Sequence, residues 1–351
     1  TITPAHDTVD FEIAQRHNLD YEPIIDFNGK LLPIAGPEFE GKNITVAREE
    51  IVKKLDEKGL LEKVEENFKH SIKVCYKCKR TLEPQIKAQW FIKVKPLAEK
   101  AKEAVEKGEI KFVTERHERI FKHWMDTIYD WNISRQIVWG IPIPAKICEE
   151  CGEGMVDLDN LITKCSKCGG KVKQDADTFD TWFSSGQWPF ATLNYPDSED
   201  FKNFYPTDVI ETGHDILFFW VAKMIMFGIY RTGKVPFKTV YLHGLVRDAK
   251  GQKMSKSIGN VINPLELSEK YGTDALRMAF LVGNTPGNDM NLSEDKIRAY
   301  KKFANKLWNI SRFVLDNTEG LGEIDLNDER LNGLRRSNSE LINLQKTISE
   351  I

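Results

Sequence analysis

The chain has 351 residues, with 50 lysines and arginines against 53 aspartates and glutamates, and a formal net charge of −3. That balance excludes a globally basic nucleic-acid-binding protein, although a local basic face would still serve a nucleic acid. The length allows two or more domains with sizeable cores, and 41% hydrophobic with 29% charged residues is ordinary for a soluble globular protein.

Thr1-Ile-Thr-Pro-Ala-His-Asp7 opens mid-theme, without a methionine or a basic-then-apolar leader, so the true N-terminus is expected upstream and secretion is not expected. Residues 21–44 hold Pro23, Gly29, Pro33, Gly36, Pro37 and Gly41 and read as short strands and turns. A helix is expected over 45–59, with Ile51, Val52 and Leu55 on one face and Gly59 as its stop. A second helix begins with Pro96 in its first turn and ends by Gly108, turning Leu97, Ala101, Ala104 and Val105 inward. The stretch 146–172 carries too much glycine and charge for an ordinary core segment. Beyond it the pattern predicts a strand at Asp208–Thr212, an apolar helix, and a strand at Thr239–Val246, which together suggest a parallel α/β unit. The apolar run Ile216–Ile229 is interrupted by Lys223 and falls below the roughly 18 residues of a membrane span, so it reads as a buried core helix. From Ser293 onward Ile297, Tyr300, Ala304, Leu307 and Trp308 recur at helical spacing, and the polar tail to Ile351 fits the opening of a separate helical domain.

All six cysteines fall in three Cys-x-x-Cys pairs, a usage that suggests a reducing compartment and zinc in place of disulfides. Cys148-x2-Cys151 and Cys165-x2-Cys168 are separated by 13 residues, and each pair is followed by glycine (Gly152, Gly169-Gly170). Four thiolates would complete a closed tetrahedral shell around a structural zinc, with no open position for catalysis; free thiols are the alternative. Cys75 and Cys78 have no local partner pair, so a second site there would be vacant or half-liganded.

The string Gly251-Gln-Lys-Met-Ser-Lys-Ser-Ile-Gly-Asn260 follows an apolar strand ending in His243-Gly244. Two lysines spaced by small hydroxyl residues on a Gly-flanked loop can close on a polyphosphate, where transition-state charge builds. Lys253-Met254-Ser255-Lys256-Ser257 resembles the second signature of the class I aminoacyl-tRNA synthetases, whose catalytic domain is a Rossmann-type fold. The resemblance implies that Lys253 and Lys256 act on ATP phosphates as the catalytic pair, with magnesium-bound ATP as substrate. The family's first signature, His-x-Gly-His, is absent, and His243-Gly244 stands in the wrong place for it.

Glu211-Thr-Gly-His-Asp-Ile-Leu-Phe-Phe-Trp220 is similar to the valyl version of the family's ribose and amino-acid segment. The resemblance places Thr212, Gly213, Asp215, His243 and Gly244 at the adenylate, and Trp182, Ile216 and Trp220 around a valine side chain. Asp130-Trp-Asn-Ile-Ser-Arg-Gln136, Trp139-Gly140 and Phe303-Ala-Asn-Lys-Leu-Trp308 extend the match over nearly the whole chain. Thr3-Pro-Ala-His-Asp7 with Asp10 resembles the editing pocket of the valyl, isoleucyl and leucyl members, which implies hydrolytic roles for Thr3, His6, Asp7 and Asp10. An apolar pocket cannot strongly reject the added hydroxyl of threonine, so a polar second pocket has a physical purpose. Taken alone, Asp7-x-x-Asp10 reads as a helix cap or a surface motif, and His6 as a structural histidine.

The expectation is therefore an α/β protein: the second part of a class I Rossmann-type catalytic domain with a zinc-ribbon insertion, the remnant of a β-rich editing domain and the start of an α-helical anticodon-binding domain. The expected ranges are 1–70 for editing, 71–131 for a connective segment with one cysteine knuckle, 132–292 for the catalytic part and 293–351 for the helical start. The implied activity is ATP-dependent attachment of valine to tRNA(Val) with editing of threonyl-tRNA, in the cytoplasm, with no membrane partner. The implied enzyme is a monomer when complete, and its missing N-terminal part is a partner of this chain, which alone would be inactive. An isoleucyl relative, or a stand-alone zinc-containing tRNA-binding or trans-editing protein, are the alternatives.

Overall fold

The computed structural model describes residues 2–65, 67–75, 78–255 and 259–319. Lys256 and Ser257, and the expected helical tail beyond Glu319, lie outside the described residues. The chain divides into two units, one formed by residues up to Phe91 with Asn132–Ser134, the other by Ile92–Trp131 and the chain from Arg135 onward.

In the first unit α1 (Thr8–His17) starts on Asp7, whose carboxylate accepts from the backbone N–H groups of Val9 and Asp10, and ends on Asn18 in the left-handed region. Helix α2 (Ile44–Glu57) starts on the Asn43 side chain in the same manner. Its expected inward face differs: Ile51 and Val52 are 41% and 40% exposed, and Ala47 is buried instead. The buried apolar side chains described in this unit are small (Ala5, Ala14, Ala47) apart from Ile25 and Ile133, and α2 packs through its alanine face. The short strands expected over 21–44 reduce to isolated bridges, Ile25 with Leu31 and Lys30 with Asn43. Asp26 explains the difference, because its carboxylate accepts from Asn28 and Lys30 N–H and curls the chain into a turn.

The second unit begins with α3 (Lys95–Glu106), which has Pro96 in its first turn and buries Ala98, Ala101, Ala104 and Val105. Strand β1 (Lys111–Phe112) and α4 (Glu115–Thr127) follow. Strands β2 (Ala145–Cys148), β3 (Gly154–Val156) and β4 (Val172–Gln174) make an antiparallel ribbon with β2 in the middle. After the short α5 (Thr181–Ser185) comes β5 (Thr207–Gly213), then a 3-10 turn at His214–Ile216, a π-helical turn at Leu217–Val221, and α6 (Ala222–Thr232). Ala222–Gly228 are all buried, so the predicted core helix is present from Ala222 onward, whereas Ile216–Val221 belong to the 3-10 and π-helical turns and Phe219 is exposed. Strand β6 (Phe237–His243), β7 (Val246–Arg247), α7 (Pro264–Tyr271), α8 (Thr273–Leu281), β8 (Met290–Asn291) and α9 (Glu294–Thr318) complete the described chain.

β6 is the centre of a parallel sheet of order β1-β6-β5, and β5, α6 and β6 form the predicted strand–helix–strand unit. The sheet shares one core with α3, α4 and α6, built on Ala98, Phe112, Phe121, Ile210, Met224 and Val240. The predicted strand Thr239–Val246 splits in two, because Gly244 lies directly against Asn288 and the chain then pairs β7 with β8. β6 is flanked by strands on both sides at Thr239 and Val240, and from Tyr241 to His243 it pairs with β5 alone. Helix α9 is capped by Ser293 and buries Ile297, while Leu307 and Trp308 are exposed.

Candidate functional site

The parallel strands β5 and β6 end side by side, with Thr212 opposite Leu242 and Gly213 opposite His243. In open α/β sheets, the crevice outside the carboxyl ends of the strands is where ligands bind. Thr212 and Gly213 are buried, Asp215 is exposed on the turn that follows, and a Cβ at Gly213 would stand 2.7 Å from Asp215 Oδ1. His243 donates from Nδ1 to the Gly244 carbonyl (2.8 Å), and its Nε2 lies 3.5 Å from Glu211 Oε1. Across the crevice Lys253 Nζ approaches Asp215 Oδ2 at 3.4 Å. The structure thus brings together Thr212, Gly213, Asp215, His243, Gly244 and Lys253. Met254 is partly buried against the cluster of Leu267, Tyr271 and Ala275, which seats the loop.

The stem of that loop is held by two residues that the sequence reading passed over. The Asp248 carboxylate accepts from Lys250 N–H, Gln252 N–H and Asn260 Nδ2 at 2.8–2.9 Å, and Asn260 Oδ1 accepts from Ser255 N–H at 2.8 Å. The Asn260 hydrogen bond, followed by that from Gln252, holds the Asp248 carboxyl below its ordinary range. Asp248-Ala-Lys-Gly251 was a readable turn signal, with Gly251 at φ +77°.

The aromatic residues assigned to a side-chain pocket gather between α5 and the π-helical turn. Trp182 stacks on Phe219 with ring centroids 5.7 Å apart, and Trp220 donates from Nε1 to the Ser185 carbonyl at 3.0 Å. Ile216 is half-buried at the entry to the turn. Two polar residues beneath this wall escaped the sequence reading as site members. Asp180 is buried and accepts from Trp131 Nε1 (3.0 Å), Arg135 (2.5 Å) and Trp182 N–H (3.1 Å). Lys223 is buried with Nζ 4.5 Å from the ring centroids of both Trp131 and Phe218, and burial pushes its ammonium down to about 8 against the opposing pull of Asp180. A cavity of about 130 Å³ opens nearby, with Arg116, His117, His214 and Asp215 at its polar end and Trp124 and Phe218 among its apolar walls.

In the ribbon, the Sγ atoms of Cys148, Cys151, Cys165 and Cys168 all lie within 4.8 Å of one another, with Cys148–Cys168 at 3.4 Å and Cys151–Cys165 at 3.6 Å. A tetrahedral tetrathiolate site has sulfur–sulfur edges of about 3.8 Å, so the donor set fits a metal ion. Backbone N–H groups of Cys151, Lys167 and Gly170 point at sulfurs of the cluster, as in a thiolate knuckle. Hydrogen bonds led by the Cys151 N–H hold the Cys148 thiol below its ordinary range despite burial. Among the described residues no third potential ligand joins Cys75 and Cys78 in such a cluster.

In the first unit, Thr3 donates from its N–H (2.6 Å) and Oγ1 (3.3 Å) to Asp10 Oδ2. Asp7 is engaged as the α1 cap. His6 accepts from Ile24 N–H at Nε2 (2.8 Å), so its proton sits on Nδ1 and goes to the Pro84 carbonyl (2.9 Å).

Residues 27–293 match the family model of class I tRNA synthetases (I, L, M and V), and the chain belongs to that family. It is 48% identical to a valine–tRNA ligase of Petrotoga mobilis over 99% of its own length, and 47% identical to one of Thermotoga maritima over 100%. A valine–tRNA ligase of Clostridium tetani is 48% identical over 91% of the chain. The chain spans 36–40% of the length of these relatives. Among solved structures, the Mycobacterium tuberculosis methionyl-tRNA synthetase with methionyl-adenylate shares the fold at a TM-score of 0.54 and 17% identity, covering 94% of this chain and 64% of that one.

Proposed function

We propose that this chain supplies the Lys253-loop side of the amino-acid-activating site of a valine–tRNA ligase, together with a structural zinc. The observation that carries the reading is the meeting of Gly213, Asp215 and Lys253 at the ends of β5 and β6, in a chain 47–48% identical to valine–tRNA ligases. In this reading magnesium-bound ATP lies across the strand ends. Asp215 accepts from the ribose hydroxyls, and the backbone at Thr212, Gly213, His243 and Gly244 allows the nucleotide to approach closely. A valine carboxylate oxygen attacks the α-phosphorus and pyrophosphate leaves with the bonding pair. Lys253 and Lys256, on the loop with Met254, Ser255 and Ser257, stabilise the charge that develops on the phosphate oxygens, which lowers the barrier more than it strengthens ground-state binding. Trp182, Ile216 and Trp220 wall the isopropyl group. A hydroxyl of the terminal ribose of tRNA(Val) then attacks the valyl carbonyl, AMP leaves with the bonding pair of the acyl–phosphate bond, and the hydroxyl proton is released, in the reducing cytoplasm.

The same reading gives Cys148, Cys151, Cys165 and Cys168 a zinc ion, whose binding supplies folding free energy to a segment poor in apolar residues. It gives Thr3, Asp7 and Asp10 a part in hydrolysing threonyl-tRNA, supported by the shared Thr3–Asp10 contact, with His6 shaping the turn through Ile24 and Pro84. Helix α9 begins the anticodon-binding part. The test is ATP–pyrophosphate exchange by the chain mixed with a polypeptide carrying His-x-Gly-His. Valine is expected to drive exchange at least about tenfold faster than isoleucine. Preference for isoleucine would overturn the substrate, and no exchange with any amino acid would overturn the activating site.

A further inference from the structure

The segment Thr285–Asn291 runs along the end of β6 and beside β7. Gly287 N–H donates to the Leu242 carbonyl (2.7 Å), Met290 N–H to Leu245 (3.0 Å) and Leu292 N–H to Arg247 (2.9 Å). Two glycines make the approach close: a Cβ at Gly244 would stand 1.7 Å from the Asn288 carbonyl oxygen, and one at Gly287 would stand 2.2 Å from His117 Cε1. So fixed, the segment presents Asp289 to three other parts of the site. Its Oδ1 accepts from Leu245 N–H (2.7 Å) and lies 2.7 Å from His214 Nε2, while Oδ2 accepts from Arg247 Nε (2.5 Å). His214 opens the turn that carries Asp215, and it stacks on His117 at 5.9 Å. Arg247 is the last residue before the Asp248–Asn260 clamp, and its guanidinium also reaches the Gly251 carbonyl at 3.3 Å. Burial raises the Asp289 carboxyl, but the hydrogen bonds from His214, Leu245 and Arg247 outweigh it and hold the group well below the usual carboxylate range. The carboxylate is therefore anionic at neutral pH, and its side chain is only 23% exposed.

We propose that Asp289 is a positioning residue for the nucleotide: it fastens the stem of the Lys253 loop to the Asp215 turn, so that the phosphate-binding and ribose-binding groups keep one spacing. The proposal rests on the activating-site reading given above. Its physical content is charge: two charge-assisted donors converge on one carboxylate, and an asparagine of the same size would keep the packing but set its own amide against Arg247 or His214.

The test is limited trypsin digestion of the 351-residue chain, following cleavage after Lys250 and Lys253 by mass spectrometry, with the exposed Lys167 as an internal reference and with or without MgATP. Asp289→Asn and Arg247→Gln should each make loop cleavage about tenfold faster while leaving Lys167 unchanged, the loss expected of one charged hydrogen bond. The MgATP concentration that halves loop cleavage should rise by about the same factor. Loop cleavage at the wild-type rate in both variants would overturn the proposal. An equal rise at Lys167 would overturn it too, since Asp289 would then be supporting the fold at large. If MgATP fails to protect even the wild-type loop when the His-x-Gly-His polypeptide is present, the activating-site reading falls, and the nucleotide-free comparison still decides the role of Asp289 as a fastener.

Discussion

The cysteine ribbon and the Arg247–Asn260 loop are both hairpin-like excursions from the same unit, yet they use their polar side chains in opposite ways. The ribbon turns four sulfurs inward on one another and satisfies them with its own backbone N–H groups. The loop is held at its stem through Asp248 and Asn260, and the Lys253 side chain is 66% exposed, with the Asp215 carboxylate 3.4 Å away. The ribbon gathers a donor set that fits a metal ion. The loop holds positive charge ready for a counter-charge that a substrate brings. Where a hairpin's donors converge, the chemistry is structural; where they are held apart on a fixed stem, a ligand can finish the set.

The largest effect should come from opening the ribbon. Cys151→Ser with Cys168→Ser should take the freshly purified chain from one zinc to none by elemental analysis and make residues 146–172 rapidly cleavable by trypsin. A wild-type chain with no metal would break the comparison at its first term. On the loop side, Lys253→Ala should leave zinc content and melting unchanged but slow reconstituted exchange by about 10²–10³-fold, mainly in kcat, with the KM for valine nearly constant. A loss confined to valine KM would move Lys253 out of the phosphate site.

Lys223 sharpens the contrast, since it is a cation buried with no counter-ion in hydrogen-bond contact among the described residues. Its ammonium titrates at about 8 in the folded chain and at 10.5 unfolded, so folding expels a proton between those values. The unfolded state binds more protons there, and stability rises with pH across the window; below it the buried charge costs about 3 kcal/mol. Lys223→Met should remove that cost, so that wild type and variant differ by about 3 kcal/mol near neutral pH and converge toward pH 10.5 in urea unfolding. Parallel stability curves for the two proteins would count against this account. The smallest effect belongs to Asp7→Ala, which removes the α1 cap and should cost about 1 kcal/mol in the first unit without touching exchange. Impaired exchange in that variant would reverse the assignment of Asp7.

The features that the sequence made legible were local in the chain. Cysteine spacing announced the ribbon, the apolar run announced α6, and the lysine–serine string announced the loop, because each is written within about one or two dozen residues. Long-range geometry was not legible. The break in the predicted strand Thr239–Val246 depends on Asn288 lying against Gly244, 44 positions away, and nothing near Gly244 signals it. Asp289 joins His214 and Arg247 from 75 and 42 positions away, and it reads in isolation as one more loop aspartate. Asp180 was not singled out in the sequence, and its convergence with Trp131 and Arg135 emerges only from the fold. Ile51 and Val52 mislead for a different reason: periodicity names an apolar face but not whether a partner covers it.

The pairing of His243 with Gly213 sets the two arms of the crevice level with each other. A strand rises about 3.3 Å per residue, so one residue added to β6 would displace the loop by that amount and turn every following side chain to the opposite face. The displacement is as large as the whole gap between Lys253 and Asp215, 3.4 Å. The chain therefore cannot change length along Phe237–His243 without moving the loop out of reach of the Asp215 turn. In this crevice residue count acts as a ruler, and insertions and deletions are more disruptive there than most changes of side chain.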